Sequence, residues 1–211
     1  MTQKILITKE EYRDGLVAIG KLVFDFAKVH RVTYHDDGNT PESDTDHTVM
    51  LSVVACSLAD SFYKDELDRG LVAQFAIVHD LVEVYAGDVN SFGLTKEGRV
   101  EKEHREKRAL YMIEDAFMDV YPWIPRTIRE YERLDTKEAR FVKSVDKMMA
   151  KITHILNKGK AYKEKRVSKE EVERELAKQI ETMQTSYTKE FPVIVSLMKV
   201  LVEESIKKTY D

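Results

Sequence analysis

A short segment of this chain places a histidine and two carboxylates at spacings that could hold a metal ion. It runs from Val78 to Asp88 and contains His79, Asp80 and Glu83. On a helix, residues three and four positions apart share a face, so these polar side chains would crowd one side of an otherwise apolar segment. Buried polar groups need partners, and a divalent cation would satisfy all of them at once. The alternative is a surface helix with a simple contact between His79 and Glu83.

Two residues far from this segment have surroundings that are unusual for their polarity. His47 opens an apolar helical pattern and lies on its apolar side, and Asp146 has apolar side chains at positions i−4, i−1 and i+3. An aspartate in such a setting is costly unless it is paired. Asp146 could be paired by a metal ion or, alternatively, by Lys143 or Lys147.

Taken together, these residues form a candidate ligand set of two imidazoles and two carboxylates, His47, His79, Asp80 and Asp146. Such a set can hold Mn²⁺, Fe²⁺, Co²⁺, Ni²⁺ or Zn²⁺, and four protein ligands leave coordination positions open for water and substrate. Open positions are typical of a catalytic site.

The pattern resembles the HD-domain phosphohydrolase superfamily, and in particular its 5′-deoxynucleotidase-like branch. Pro41–His47 looks like the branch's E-S-x-x-[DE]-H segment, and His79-Asp80-x-x-Glu83-x-x-x-Gly87-Asp88 looks like its central motif. The resemblance covers roughly residues 15 to 160.

The resemblance implies a role for each matching residue. The four candidate ligands would bind one divalent ion, which could be Mn, Co, Ni, Fe, Zn or Mg. Glu83 and Asp88 would be the catalytic carboxylates, which position or activate water and handle the proton of the leaving group. Arg31 would bind phosphate, and Glu42 and Ser43 would also bind substrate. In that branch a tryptophan usually follows this arginine, whereas here Val32 follows Arg31.

Three functions are compatible with this pattern. The first is hydrolysis of 5′-(deoxy)nucleoside monophosphates to nucleoside and phosphate. The second is hydrolysis of deoxynucleoside triphosphates with release of tripolyphosphate, which could use the same ion and the same water. The third is a non-catalytic helical module that binds a nucleotide or a partner around a structural metal. The presence of Glu83 and Asp88 favours an enzyme, since a structural metal needs no further carboxylates.

The elements that must position these residues are predicted to be helices, since the chain has only 8 Gly and 4 Pro and long stretches of helical periodicity. We expect an all-α fold of the HD type, a single-domain helical bundle spanning residues 1–211. Its motif core would cover about 15–160, with C-terminal helices from 161–211 packed on it. The expected helices are 8–30, 45–62, 65–86, 95–120, a short one after 125, 136–156, one that starts at 168 and one that starts at 192, with a long loop from 31 to 46.

Composition restricts the partners. A net charge of −4 provides no basic surface for a nucleic acid polymer or an anionic membrane, and no apolar stretch is long enough to span one. The resemblance implies a small nucleotide substrate, and we expect a cytoplasmic location. The apolar residues near the C-terminus predict a homodimer through the last helices; they are Met198, Val200, Leu201 and Val202.

Overall fold

The computed structural model describes residues 7–89, 94–186 and 188–211. The expected all-α fold is confirmed, with one small two-stranded sheet among the helices. The elements in chain order are α1 Lys9–Phe26, β1 His30–Tyr34, β2 Pro41–Ser43, α2 Asp44–Phe62, α3 Arg69–Val78, α4 Glu83–Ala86, α5 Lys96–Phe117, α6 Trp123–Arg133, α7 Lys137–Leu156, α8 Lys160–Glu164, α9 Lys169–Thr185 and α10 Pro192–Tyr210.

Side-chain caps explain where several helices begin. Thr8 forms a complete capping box with Glu11, and the Ser43 hydroxyl accepts a hydrogen bond from the Asp46 amide at the start of α2. Each cap satisfies amide groups that have no partner within the helix. Ser168 caps α9 in the same way, and α10 begins with Pro192 in its first turn, as predicted.

The predicted loop from 31 to 46 is in part a β-hairpin, which the sequence pattern did not indicate. β1 and β2 pair antiparallel, with His30 opposite Ser43 and Tyr34 opposite Pro41. The Asp37 side chain accepts hydrogen bonds from the Thr40 amide and hydroxyl, which closes the turn between the strands. The strands are too short for residue alternation to reveal them.

The helix predicted over 65–86 is interrupted at the motif that contains His79 and Asp80. α3 ends at Val78, and the next residues form tight turns, with the Leu81 amide donating to the Val78 carbonyl at 3.1 Å and the Glu83 amide donating to the Asp80 carbonyl at 2.8 Å. These are bonds to the third residue back, as in a 3₁₀ helix. The short α4 then ends at Gly87, whose φ of 72° suits glycine at the end of a helix.

Two hydrophobic clusters hold the helices together. The larger lies between α2, α3, α7, α9 and α10 around Phe75, Phe141 and Met198. The smaller joins α1, α5 and α6 to the segment after α3, with Val78 and Ile113 fully buried. The motif segment at the end of α3 therefore lies between the two clusters.

The buried side of α1 agrees only in part with its helical periodicity, which places an apolar set on one side, namely Tyr12, Leu16, Ile19, Val23 and Phe26. Phe26 is buried as this pattern predicts and Ile19 is partly buried, but Leu16 is 59% exposed and Val23 is 48% exposed. Leu22 is buried beside Phe26, because the smaller cluster lies against the C-terminal half of this helix.

Most of the apolar run on α10 is used inside the chain. Met198 and Val202 are buried, where α10 packs on α7 and α9, whereas Val200 is exposed. The homodimer therefore stays a prediction. None of the helices in the described part of the chain combines the length and the apolar character needed to cross a membrane.

One buried amino group lies on α7 behind the candidate ligands. Lys151 is only 4% exposed, and its Nζ donates a hydrogen bond of 2.6 Å to Gln179 on α9. Burial, with a contribution from Lys147, lowers the pKa of Lys151 to about 7. The unfolded chain, with an ordinary lysine pKa, binds more protons than the native chain above that pH, so this residue costs stability most at low pH.

We therefore expect Lys151→Met to unfold at a higher temperature than the parent chain below about pH 7, where the native state must hold a buried charge. The advantage should shrink as the pH rises toward the ordinary lysine pKa. Thermal unfolding in a chelator, followed by circular dichroism from pH 6 to 9.5, measures it. Lys178→Met, at an exposed lysine of α9, is the control. A difference in unfolding temperature that is the same at every pH would contradict the prediction.

Candidate metal centre

Three separate helical regions bring the four candidate ligands to one place. His47 lies in the first turn of α2, His79 and Asp80 follow the end of α3, and Asp146 lies in the middle of α7. Each residue offers a ligand atom, and these atoms all lie within 4.8 Å of one another. His47 and His79 are buried, and Asp80 and Asp146 are partly buried. The arrangement leaves the cluster accessible on the side of Asp80.

Both imidazole rings present Nε2 to the cluster. Nε2 of His47 lies 3.2 Å from Asp146 Oδ1, and Nε2 of His79 lies 3.0 Å from Asp80 Oδ2. On its other side, Nδ1 of His79 lies 2.9 Å from the Ala76 carbonyl oxygen, which can only accept a hydrogen bond. Nδ1 therefore carries the proton, and the lone pair of Nε2 points into the cluster, as a metal ligand requires.

Glu42 has a corresponding position behind His47. Its Oε1 lies 3.4 Å from His47 Nδ1, and its Oε2 accepts a hydrogen bond from the Thr33 hydroxyl. Ser43, the next residue, caps α2. Both side chains thus have partners within the chain, and the substrate-binding role expected for them stays a prediction.

The charges of the cluster are compensated internally. Burial disfavours the protonated form of His47, but contacts with Asp146 and Glu42 outweigh it and raise the pKa of His47 to about 9. Burial likewise opposes ionisation of Asp146, yet Lys147 and His47 hold its pKa well below the usual range. Lys147 Nζ lies 2.8 Å from Asp146 Oδ2, so the ion pair considered as an alternative exists beside the His47 contact.

The residues present fit a divalent cation. Nε2 of His79 is buried and makes no hydrogen bond with any described residue, although it faces the carboxylates. An unused buried acceptor costs free energy that a cation would recover. A cation would also replace the proton on His47, as metals do when they bind imidazole.

Arg31 on β1 lies directly beside the cluster. Its Nη1 is 2.9 Å from Asp80 Oδ2 and 3.0 Å from Asp44 Oδ1, and Glu83 Oε2 is 3.9 Å away. Asp80, Asp88 and Asp146 raise the pKa of Arg31 against the effect of burial, so the guanidinium stays charged. The expected phosphate-binding arginine is thus next to the candidate ligands.

The two expected catalytic carboxylates differ in their surroundings. Glu83 is buried, and its Oε1 lies 3.3 Å from Lys102 Nζ on α5. Burial and the nearby Asp80 raise the pKa of Glu83 to about 10. Burial also raises the pKa of Asp88, with Arg31 and Lys102 acting in the opposite direction. Asp88 is therefore within electrostatic range of the same group of charges.

Two residues of this neighbourhood were absent from the sequence-based set. Asp44 is fully buried beside Arg31, and Lys102 contacts Glu83 from α5. Asp44 stands within the E-S-x-x-[DE]-H segment, so a buried charge at a helix start was the available signal. Lys102 lies in a highly charged helix, where nothing in the sequence distinguishes it from its neighbours.

The amino-acid sequence of the chain matches a known family over most of its length. The sequence pattern of the HD domain matches residues 26–187, which include every residue of the cluster. The chain belongs to the HD domain family. The expected resemblance is thereby confirmed.

Relatives of this HD domain include two proteins named 5′-deoxynucleotidase HDDC2. The one from Mus musculus is 31% identical over 140 residues, which cover 63% of this chain and 64% of that protein. The one from Homo sapiens is 33% identical, with 63% of each covered. The chain thus spans less than two thirds of the length of these relatives.

A solved structure shows the same fold. The predicted metal-dependent phosphohydrolase from Magnetospirillum magnetotacticum MS-1 superposes with a TM-score of 0.72 at 21% identity, covering 94% of this chain and 97% of that one. The HD family and the His/Asp cluster together support binding of a divalent metal ion.

The position of Glu42 leads to a test of the metal centre. We expect Glu42→Gln to weaken metal affinity about 10- to 100-fold, because it removes the carboxylate behind a proposed imidazole ligand. Titration of the metal-free protein with Mn²⁺ or Co²⁺ in a calorimeter measures this. The control is Glu164→Gln on α8, which removes an exposed carboxylate that accepts a hydrogen bond from the Tyr34 hydroxyl of the same hairpin. Equal affinity of the Glu42 variant and the parent would rule this role out.

Proposed function

We propose that this HD domain is a metal-dependent phosphohydrolase that converts 5′-(deoxy)nucleoside monophosphates to nucleoside and phosphate. The convergence of four ligand atoms beside Arg31 carries the proposal. It combines a cation site, an arginine for the phosphate and carboxylates for proton transfer within one small region. The names of the HDDC2 relatives support the choice of a monophosphate substrate.

His47, His79, Asp80 and Asp146 would hold the ion, and their mixture of nitrogen and oxygen atoms suits Mn²⁺, Fe²⁺, Co²⁺, Ni²⁺ or Zn²⁺. A divalent ion at such a site supplies Lewis-acid chemistry, lowering the pKa of water and polarising a phosphoryl oxygen. The protein's own contribution is mainly positioning and charge neutralisation, which dominate phosphoryl transfer.

The residues around the ligands divide this work between them. Arg31 neutralises the phosphate and orients it through the N–H groups that its carboxylate contacts leave free. Glu83 and Asp88 move protons, one accepting from the attacking water and one donating to the leaving 5′-oxygen. Lys102 keeps the buried Glu83 in place through their contact.

Removal of a ligand tests the enzyme hypothesis. We expect His79→Ala and Asp80→Ala each to reduce turnover of deoxynucleoside monophosphates by at least about 100-fold, because the remaining ligands hold the ion poorly. Activity is measured by phosphate release with added Mn²⁺ or Co²⁺. His104→Ala, at an exposed histidine of α5, is the matched control and should keep full activity. Undiminished turnover by the two ligand variants would refute the proposal.

Analysis of the reaction products shows which phosphate bond is broken. With deoxynucleoside monophosphates, chromatography should show nucleoside and orthophosphate. The protein would instead be a triphosphohydrolase if it releases tripolyphosphate from deoxynucleoside triphosphates faster than it releases orthophosphate from the monophosphates. No hydrolysis of either class with any divalent ion would favour the binding module.

Location and assembly remain expectations from the sequence. A cytoplasmic location fits a chain that acts on small nucleotides, and a homodimer through the α10 face would have to use the exposed Val200. Light scattering at micromolar concentration measures the mass of the particle.

A further inference from the structure

Arg31 has two different kinds of carboxylate partner. Asp80 Oδ2 contacts Arg31 Nη1 at 2.9 Å, and the same oxygen lies 3.0 Å from His79 Nε2, within the proposed ligand cluster. A cation bound there would therefore compete with Arg31 for this oxygen. Asp44 Oδ1 contacts Arg31 Nη1 at 3.0 Å and does not belong to the four proposed ligands. Asp44 can hold Arg31 whether or not Asp80 binds a cation.

Asp44 is held firmly by the elements around it. It is the first residue of α2, directly after the cap Ser43, and its amide donates a 3.0 Å hydrogen bond to the Val29 carbonyl just before β1. The side chain is completely buried, and within the described residues its Oδ2 makes no hydrogen bond. A buried carboxylate is costly, and its ion pair with Arg31 is the compensation that the structure provides.

We propose that Asp44 is a positioning residue, which fixes the guanidinium of Arg31 beside the metal centre so that its other arm can bind the phosphate of the substrate. The inference rests on the proposed function. Among the described residues, the hydrogen bonds that Arg31 donates to Asp44 and Asp80 both come from Nη1. Nη2 and Nε therefore remain for a phosphate, which a guanidinium binds best through two parallel N–H groups.

The carboxylates of Asp44, Asp80 and Glu83 also offer oxygens within 4.8 Å of one another, a spacing that a second cation could use. In this structure Arg31 lies among these three groups and supplies the positive charge. A positioning role and a second cation site make opposite predictions for Asp44→Asn. The first predicts weaker phosphate binding with unchanged metal stoichiometry, and the second predicts the loss of one bound ion.

A double-mutant cycle tests the inference. The parent, Asp44→Asn, Arg31→Ala and the double variant are loaded with Mn²⁺ and titrated with inorganic phosphate in a calorimeter, and KM and kcat are measured for deoxyadenosine 5′-monophosphate. Asp44→Asn should weaken phosphate binding and raise KM at least about tenfold, with a smaller change in kcat. The double variant should bind phosphate no worse than Arg31→Ala, because residues that act through one contact are not additive.

Asp46→Asn is the matched control. It removes a charge from the same turn of α2, but Asp46 contacts Ser43 and His35, not Arg31. It should leave phosphate affinity within about threefold of the parent, as expected for a change that leaves the Arg31 contact intact. An equal loss in this control would assign the effect to the helix start and overturn the inference.

Additive effects in the cycle, undetectable phosphate binding by the parent, or one metal ion fewer in Asp44→Asn would each overturn it too. If Asp44→Asn does not fold, Arg31→Lys replaces it, since lysine keeps the ion pair with Asp44 but lacks the second arm; unchanged phosphate affinity would then refute the inference. Phosphate binding needs no turnover. If the double-mutant cycle behaves as expected but the protein has no hydrolytic activity, the proposed function is refuted and the positioning role of Asp44 is not.

Discussion

Removal of the carboxylates of Asp80 and Asp146 from water, side by side, is the constraint around which this protein is built. Only a small part of each side chain is exposed, so each carboxylate loses much of its hydration, and two carboxylates close together also repel. In the structure the compensation comes from several directions at once: a protonated His47, Lys147 beside Asp146, and Arg31 beside Asp80. A divalent cation would replace part of this compensation, and the arrangement is therefore already suited to bind one.

The end of α3 is what allows His79 to take part. Because α3 stops at Val78, the Ala76 carbonyl belongs to its last turn, where carbonyl groups lack partners within the helix. That carbonyl accepts the hydrogen bond from His79 Nδ1 and so fixes the ring with Nε2 toward the cluster. Because of the same interruption α4 starts at Glu83, and the carboxylate of this residue is buried next to Arg31.

The hairpin places one residue on each of two sides of the candidate metal centre. β1 carries Arg31 to the Asp80 side, and β2 carries Glu42 to the far side of His47. The hairpin is joined to α7 by a hydrogen bond of 2.7 Å from Asn157 to the Tyr34 carbonyl. Since α7 also carries Asp146, the positions of the arginine, the glutamate and the aspartate are linked through one small set of contacts.

Local information in the sequence was sufficient for the starts of several helices and for the choice of candidate ligands. Caps such as Thr8 and Thr136 mark helix starts because they satisfy amides within the next three residues, and His47 or Asp146 stand out because their apolar neighbours make an unpaired polar group costly. Contacts between distant segments were decided by tertiary packing alone. Arg31 meets Asp44 across 13 positions and Asp80 across 49, and no local pattern encodes which buried charges will face each other. For the same reason the exposed side of α1, the break after Val78 and the contact of Lys102 with Glu83 became visible only once the helices were packed.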